Sequence, residues 1–275
     1  MATSETATNQ TAANKSLVLI ERRGRAAWLR LNRGEAANAL SRALVAELHT
    51  AIDRLAKNAE VDQLTAVVLA SADGRAFCAG ADLKERLAMS LDEAREFLDA
   101  LGALVQAIAD FPRPVIAALS GSTMGGGLEI ALACDFRIAH ESAGMGLSEV
   151  RLGIIPGAGG TQRLARVCGI SVAKELILTG RRITAAEALR LGVVSQMVSG
   201  ADLEKAIEAL CLELASAAPL AVAAAKRAID RGYDNPMPEA LKIERACYES
   251  VLATDDRNEG LRAFAEKRPP RFQGK

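Results

Sequence analysis

Histidine is nearly missing from this chain of 275 residues, and cysteine never occurs in a spacing that would hold a metal or form a redox pair. Only His49 and His140 are present, and Cys78, Cys134, Cys168, Cys211 and Cys247 are odd in number, far apart and without a CxxC. A disulfide framework and the common zinc signatures are excluded, and reduced thiols in a cytoplasmic compartment are expected. A nucleophilic cysteine or serine needs a basic partner. No GxSxG turn surrounds Ser120 or Ser122, so both histidines read as structural or surface residues. The cysteines read as small buried hydrophobes.

An excess of either charge is also absent. Lys+Arg and Asp+Glu stand at 34 each, so no global field draws the chain onto nucleic acid or acidic membranes. Pro114, Glu129 and Asp135 interrupt the most apolar stretches before they reach the roughly twenty residues of a bilayer crossing. A soluble protein without a membrane partner is expected. Residues 1–16 carry neither an apolar signal core nor an arginine, and are expected to be a disordered lead-in. Half of the residues are hydrophobic, enough for a substantial core in one large domain or one domain with an appendage.

Periodicity gives an α/β order. Residues 17–21 and 26–31 read as a hairpin. Leu40, Leu44, Leu48, Ile52 and Leu55 mark an amphipathic helix ending near Asn58, and 65–70 a buried strand. Residues 71–86 read as a loop. Ser90 and Glu93 form a capping box opening a helix with Phe97, Leu101, Leu104 and Ile108 on its apolar face, stopped by Pro112 and Pro114. Strands follow at 115–119 and 136–139, flanking a short apolar helix at 128–134. Ser171 opens a helix closing at Gly180, and Thr184 with Glu187 suggests a second capping box. After a last strand-like run at 193–198, four helices are expected at 202–217, 219–231, 238–253 and 255–267. The boundaries are thus an α/β core over 17–200 and a helical region over 201–275.

The stretch from Pro114 to Leu164 holds the chemistry. Gly125, Gly126 and Gly127 precede a helix, where bare N–H groups and the positive dipole end suit an anion or a developing oxyanion; a tight packing turn is the other reading. GGGLEI and GAGGTQ both lack the last glycine of GxGxxG, and no GxxxxGK[ST] occurs, so nucleotide-loop readings fail. Glu129 falls in the first helical turn, where the dipole favours it. Its neighbours Leu128, Ile130, Ala131 and Leu132 nevertheless indicate a buried helix and a costly carboxylate. Glu149 follows twenty residues on. Two carboxylates facing one cavity beside an N–H anion site would suit proton transfer next to an activated carbonyl.

CAGADL (78–83), GGGLEIALACD (125–135), SEVRLGIIPGAGGTQRL (148–164) and NRGEAANAL (32–40) together resemble the enoyl-CoA hydratase and isomerase family, the crotonase superfamily. The similarity covers nearly everything after residue 16. Within the family, residues 77–86, 145–164 and 259–275 are most similar to the branch that hydrates methylglutaconyl-CoA in leucine degradation and includes an AU-specific RNA-binding member. The resemblance implies a crotonase-like spiral of repeated β-β-α units with a C-terminal all-helical trimerisation region, assembled as a homo-trimer or a hexamer. It implies an oxyanion hole from the N–H groups of Ala81 and Gly126, with Glu129 activating water and Glu149 exchanging the α-carbon proton. Contacts to the coenzyme A of the acyl-CoA substrate fall on Ala79, Asp82, Leu83 and Lys84, with Phe264 and Lys267 reaching a neighbouring subunit's coenzyme A. No metal and no tightly bound cofactor is implied. Isomerase and acyl-CoA hydrolase activities remain alternatives on the same fold. RNA binding is disfavoured, because residues 44–64 carry only Arg54 and Lys57 against Glu47, Asp53, Glu60 and Asp62. Gly34 and Ser148 depart from the family, which usually has proline at the first position and often at the second; the departure at Ser148 bears on the shape of the acyl pocket.

Overall fold

Two sheets take the strands almost alternately in the computed structural model, which describes residues 16–275. The expected lead-in, Ser16 apart, lies outside the described residues. The first hairpin joins β1 (Val18–Arg23) to β2 (Ala26–Leu31). Pairs of strands then follow at short intervals: β3 (Ala66–Ser71) and β4 (Ala76–Cys78), β5 (Val115–Leu119) and β6 (Ser122–Met124), β7 (Phe136–His140) and β8 (Gly144–Gly146). Then come β9 (Ile183–Thr184) and β10 (Gln196–Val198). One sheet runs β1-β2-β3-β5-β7-β10 and the other β4-β6-β8-β9. All pairings are parallel except β1 with β2 and β8 with β9. Each turn of the chain therefore lays one strand in each sheet, which is the expected β-β-α spiral.

Helices close the turns: α1 (Arg42–Asn58), α2 (Leu83–Ala88), α3 (Leu91–Ala109), α4 (Gly126–Ala133), α5 (Gly160–Cys168), α6 (Ile170–Thr179) and α7 (Ala185–Arg190). After β10 come α8 (Leu203–Ser216), α9 (Pro219–Gly232), α10 (Met237–Leu252) and α11 (Asp255–Ala265). The Ser90–Glu93 capping box closes in both directions and starts α3. At Thr184 only half of the expected box forms: its hydroxyl accepts from the Glu187 N–H, while the Glu187 carboxylate pairs with Arg181. The supposed loop at 71–86 contains β4 and the start of α2. Strands β6 and β8 and helix α5 also went unread. Among the described residues no single helix is long and apolar enough to cross a membrane.

Strand periodicity divides the core. Ala27, Leu29 and Leu31 of β2 join Val67, Leu69, Val115, Ala117 and Leu119 against α1, α3 and α4. The alternate residues, Trp28, Ala66, Val68, Ile116, Ala118 and Ile138, face Ile207 and Cys211 of α8. Helix α8 is thus a cover for the six-stranded sheet. All six residues of β3 are buried, as a parallel strand covered on both faces must be.

One close approach joins the sheets to α4. A Cβ on Gly127 would lie 2.4 Å from the Cys78 carbonyl oxygen and 2.7 Å from Cys78 Cβ. Gly127→Ala is therefore expected to destabilise the fold by about 1–3 kcal/mol despite alanine's better helix propensity. Gly102→Ala, whose added Cβ on α3 meets nothing within 4 Å, is expected to stabilise by up to about 1 kcal/mol. Urea denaturation of the two variants checks the pair; a neutral Gly127→Ala would contradict the contact.

Candidate active site

The glycine run sits where the second sheet hands the chain to α4. Gly125 has φ +51° and donates its N–H to the Gly146 carbonyl at 2.9 Å. Its left-handed backbone turns the chain from β6 into a helix whose eight residues are all buried. Gly126 is the first residue of that helix, so its N–H has no intrahelical acceptor.

A second loop reaches this turn. Leu40 donates its N–H to the Gly80 carbonyl at 2.7 Å and accepts from the Asp82 N–H at 3.1 Å, a parallel bridge centred on Ala81. In that pattern the bridged residue's own N–H points away from its partner. The N–H of Ala81 accordingly meets no acceptor among the described residues. A Cβ on Gly80 would stand 2.8 Å from the Met124 carbonyl oxygen, and one on Gly126 would stand 2.9 Å from Leu40 Cδ1. The loop and the turn therefore touch, and two unpartnered N–H groups lie on neighbouring segments.

Both glutamates face the turn. Glu129 on α4 is 2% exposed, and its Oε1 accepts from the Ala158 and Gly160 N–H groups at 2.8 Å each. Its Oε2 carries no hydrogen bond among the described residues and lies 4.0 Å from where a Gly126 Cβ would be. Arg163 braces the holding turn by donating to the Ala158 carbonyl at 3.1 Å and to Gln106 Oε1 at 3.1 Å. Glu149 opens a single 3₁₀ turn, Glu149–Leu152, and its Oε1 lies 3.0 Å from where a Gly125 Cβ would be. Its Oε2 is buried without a partner.

Burial raises both carboxyls. For Glu129 the Gly160 and Ala158 N–H groups and the Arg163 charge oppose the rise. For Glu149 burial, reinforced by the charge of Glu129 and only partly opposed by its own N–H, pushes the carboxyl up to about 7. One carboxylate is held by donors and a cation, while its neighbour is an acid poised near neutrality.

The remaining candidate residues divide. Asp82 caps α2, accepting from the Lys84 and Glu85 N–H groups; the Arg33 guanidinium beside it holds its carboxyl below the usual range. Its side chain is therefore committed to the loop. Ala79, Leu83 and Lys84 are exposed beside Ala81. Phe264 lies in the last turn of α11, 87% exposed, and Lys267 follows two residues after the helix ends. Sequence reading missed Leu40, Asn38, Ala158 and Gly160. Asn38 is fully buried and donates to the Ala76 and Phe77 carbonyls, bracing β4. GAGG, set aside as a broken nucleotide motif, is the N–H cradle for Glu129. A carboxylate is an anion too, and the start of α5 was the available signal. At Gly34 a Cβ would stand 2.1 Å from Asp73 Oδ2, so the usual family proline would displace the Asp73–Arg75 pair.

A buried and a half-buried carboxylate beside unpartnered N–H groups at a helix start, on a spiral of paired strands, suit proton transfer next to an activated carbonyl. The enoyl-CoA hydratase/isomerase family model matches residues 21–275. The mitochondrial enoyl-CoA hydratase domain-containing protein 2 of Mus musculus is 48% identical over 250 residues, covering 89% of this chain and 83% of that one. The mitochondrial methylglutaconyl-CoA hydratase of Homo sapiens is 44% identical over 251 residues, covering 90% and 73%. The crystal structure of an enoyl-CoA hydratase from Bacillus anthracis superposes with a TM-score of 0.92 at 43% identity, covering 94% of this chain and all of that one. The chain belongs to the enoyl-CoA hydratase/isomerase family and is an enzyme of it.

Because Glu149 stays protonated up to about pH 7 in the folded state but ionises near the ordinary value when unfolded, its contribution to stability is present at low pH. It is lost as pH rises toward 7, by about 3 kcal/mol in total. Glu149→Gln is expected to match the wild type near pH 4 and to exceed it by up to about 3 kcal/mol near pH 8. Urea denaturation across that range checks this, and a difference independent of pH would contradict it.

Proposed function

We propose that the chain catalyses reversible hydration of a short or branched 2-enoyl-CoA thioester. The observation that carries this reading is that a buried glutamate and a half-buried one flank one glycine turn, Glu149 Oε1 beside Gly125 and Glu129 Oε2 beside Gly126. The thioester oxygen accepts from the Ala81 and Gly126 N–H groups, where negative charge grows as water adds. Each such donor is worth about 3 kcal/mol in the transition state, and the start of α4 adds its dipole.

Glu129, with Oε1 fixed by Ala158 and Gly160, offers Oε2 to the water and takes its proton as the water oxygen bonds to C3. Glu149 gives its proton to C2. Atoms balance: hydroxyl on C3, hydrogen on C2, and a proton passed from Glu129 back to Glu149 through solvent. A carboxyl near 7 suits both directions, and no tightly bound cofactor enters. An isomerase needs only one carboxylate to move a proton between carbons, so the second glutamate favours hydration over isomerisation or thioester hydrolysis.

The acyl group proposed is 3-methylglutaconyl, the substrate in the name of the human relative, which would place the enzyme in leucine degradation. Coenzyme A is proposed to lie along Ala79, the backbone of Asp82, Leu83 and Lys84. The apolar residues exposed on α8 to α11, among them Leu212, Ile229, Met237 and Phe264, support a trimer or hexamer in which Phe264 and Lys267 meet a neighbour's coenzyme A. The buried free thiols support a cytoplasmic location.

Glu129→Gln and Glu149→Gln are each expected to lower kcat for crotonyl-CoA hydration by about 10²–10⁴-fold with little change in KM, followed by loss of the enoyl thioester absorbance. Full activity in either variant would reject the paired mechanism. On a panel of crotonyl-, 3-methylcrotonyl- and 3-methylglutaconyl-CoA the highest kcat/KM is expected with the last. Faster turnover of a 3-enoyl-CoA, or release of free thiol, would assign the isomerase or hydrolase reading.

A further inference from the structure

Arg163 of α5 gives its side-chain hydrogen bonds to neutral acceptors. Nη1 donates to the Ala158 carbonyl at 3.1 Å, and Nη2 to Gln106 Oε1 on α3 at 3.1 Å. Gln106 is turned to receive it, because its Nε2 donates to Asp110 Oδ2 at 3.0 Å and leaves the amide oxygen as the acceptor. Neither contact neutralises the guanidinium. A single turn of chain separates it from Glu129. Ala158 accepts from Arg163 on its carbonyl and donates its N–H to Glu129 Oε1, and Gly160 donates to the same oxygen. A Cβ on Gly159 would collide with Arg163 Nη1, and one on Gly160 would stand 2.9 Å from Glu129 Oε1. The cation and the carboxylate therefore lie against adjacent glycines of one turn, where a larger residue would leave no room for them.

Holding carbonyls is work that other arginines also do in this fold: Arg113 donates to the Leu64 carbonyl, and Arg137 to those of Val193 and Cys134. What sets Arg163 apart is the buried carboxylate bound to the same residue that it holds. Burial disfavours its charge, the carboxylates of Glu129 and Asp110 oppose that effect, and Arg166 acts against them; an arginine remains charged through such a balance. The elements packed on α4 bring few other charges to Glu129. Strand β4 presents the Cys78 thiol, which burial pushes up to about 12. Strand β6 has no titratable side chain, and α3 brings Asp110 to the far side of Arg163. Glu149, beyond the glycine turn, is itself raised in part by Glu129. Among the described residues, Arg163 is the one positive charge acting on Glu129.

We propose that Arg163 is a positioning residue for the reaction: it holds the turn that fixes Glu129 Oε1, and its unneutralised charge keeps Glu129 the base of the pair. This rests on the proposed hydration, in which Glu129 takes the proton of water. The titration of Glu129 can be followed by carbon-13 NMR of the full chain labelled at glutamate carboxyls, its signal assigned by loss in Glu129→Gln. Arg163→Met is expected to move that titration up by about one pH unit or more. Arg163→Lys, which keeps the charge but not the planar fork, should restore most of the change. Gln106→Glu, at an exposed position, would tighten the clamp as an ion pair and divert the charge, so the titration should again move up, by less. That variant keeps the test open should Arg163→Met fail to fold. In hydration of crotonyl-CoA the acidic limb of the kcat/KM profile should move with the titration. A purely mechanical clamp predicts otherwise: Arg163→Lys as damaging as Arg163→Met, and Gln106→Glu without effect. Either result, or an Arg163→Met titration at the wild-type pH, overturns the proposal. The titration needs no turnover, so a wild type inert toward enoyl thioesters would count against the hydration reading separately.

Discussion

The whole arrangement depends on how closely the end of β4 approaches the start of α4. Cys78 and Gly127 meet backbone to backbone, at a spacing that leaves no room for a Cβ. Nothing in a helix requires glycine at that position, and alanine would favour the helix; the contact alone does. With that contact made, the chain continuing from Cys78 must pass Gly80 over Met124 and present Ala81 beside Gly126. The bridge from Leu40 then settles which way Ala81 faces. A pair of unpartnered N–H groups from two distant loops is in this way a consequence of sheet packing.

The six-stranded sheet gives each of its faces a different task. Residues of one parity face α1, α3 and α4, whose burial creates the low-dielectric surroundings that raise the glutamates. Residues of the other parity face α8, and there the helix starts too late to fill the space above the strand ends, leaving a cavity of about 300 Å³ beside Trp28. Since successive side chains on a strand point to opposite faces, a one-residue slip in β2 would exchange Trp28 for Leu29 and disturb both faces together.

Elements with strong local signals were legible in the sequence. The capping box at Ser90 and the prolines beyond Phe111 bounded α3, and the apolar run of β5 was read at its observed limits. Strands β4, β6 and β8 were not, because three residues carry no period and such strands exist only through pairing with distant segments. The same distinction runs through the site. Glu129 stood out because a carboxylate amid apolar neighbours is costly, and Glu149 because it completed a pair. Ala158, Gly160 and Leu40 make their contacts through backbone N–H and C=O groups, and the role proposed for Ala81 is also a backbone one; every residue possesses such groups. Only family resemblance marked Ala81, and only the folded geometry marked the other three. Helix α8, read as part of a helical appendage, gave no sign in its composition that it covers a sheet.

The two glutamates share a glycine turn but not an environment, and that asymmetry fits them for the opposite roles proposed. Were both left without donors, burial and mutual repulsion would raise both carboxyls, and one proton would be divided between them with no preference. Ala158, Gly160 and Arg163 remove that symmetry by stabilising charge on Glu129, while Glu149 Oε2 receives no hydrogen bond. These donors therefore favour charge on Glu129 over charge on Glu149. In the proposed hydration this is the required starting state: a base facing the water and an acid facing the α-carbon, with the roles exchanged in the reverse direction. The N–H cradle at the start of α5 thus does for Glu129 what the start of α4 is proposed to do for the substrate oxygen. One physical device, bare N–H groups at a helix start, favours the charge on Glu129 and, in the proposed hydration, the charge of the transition state.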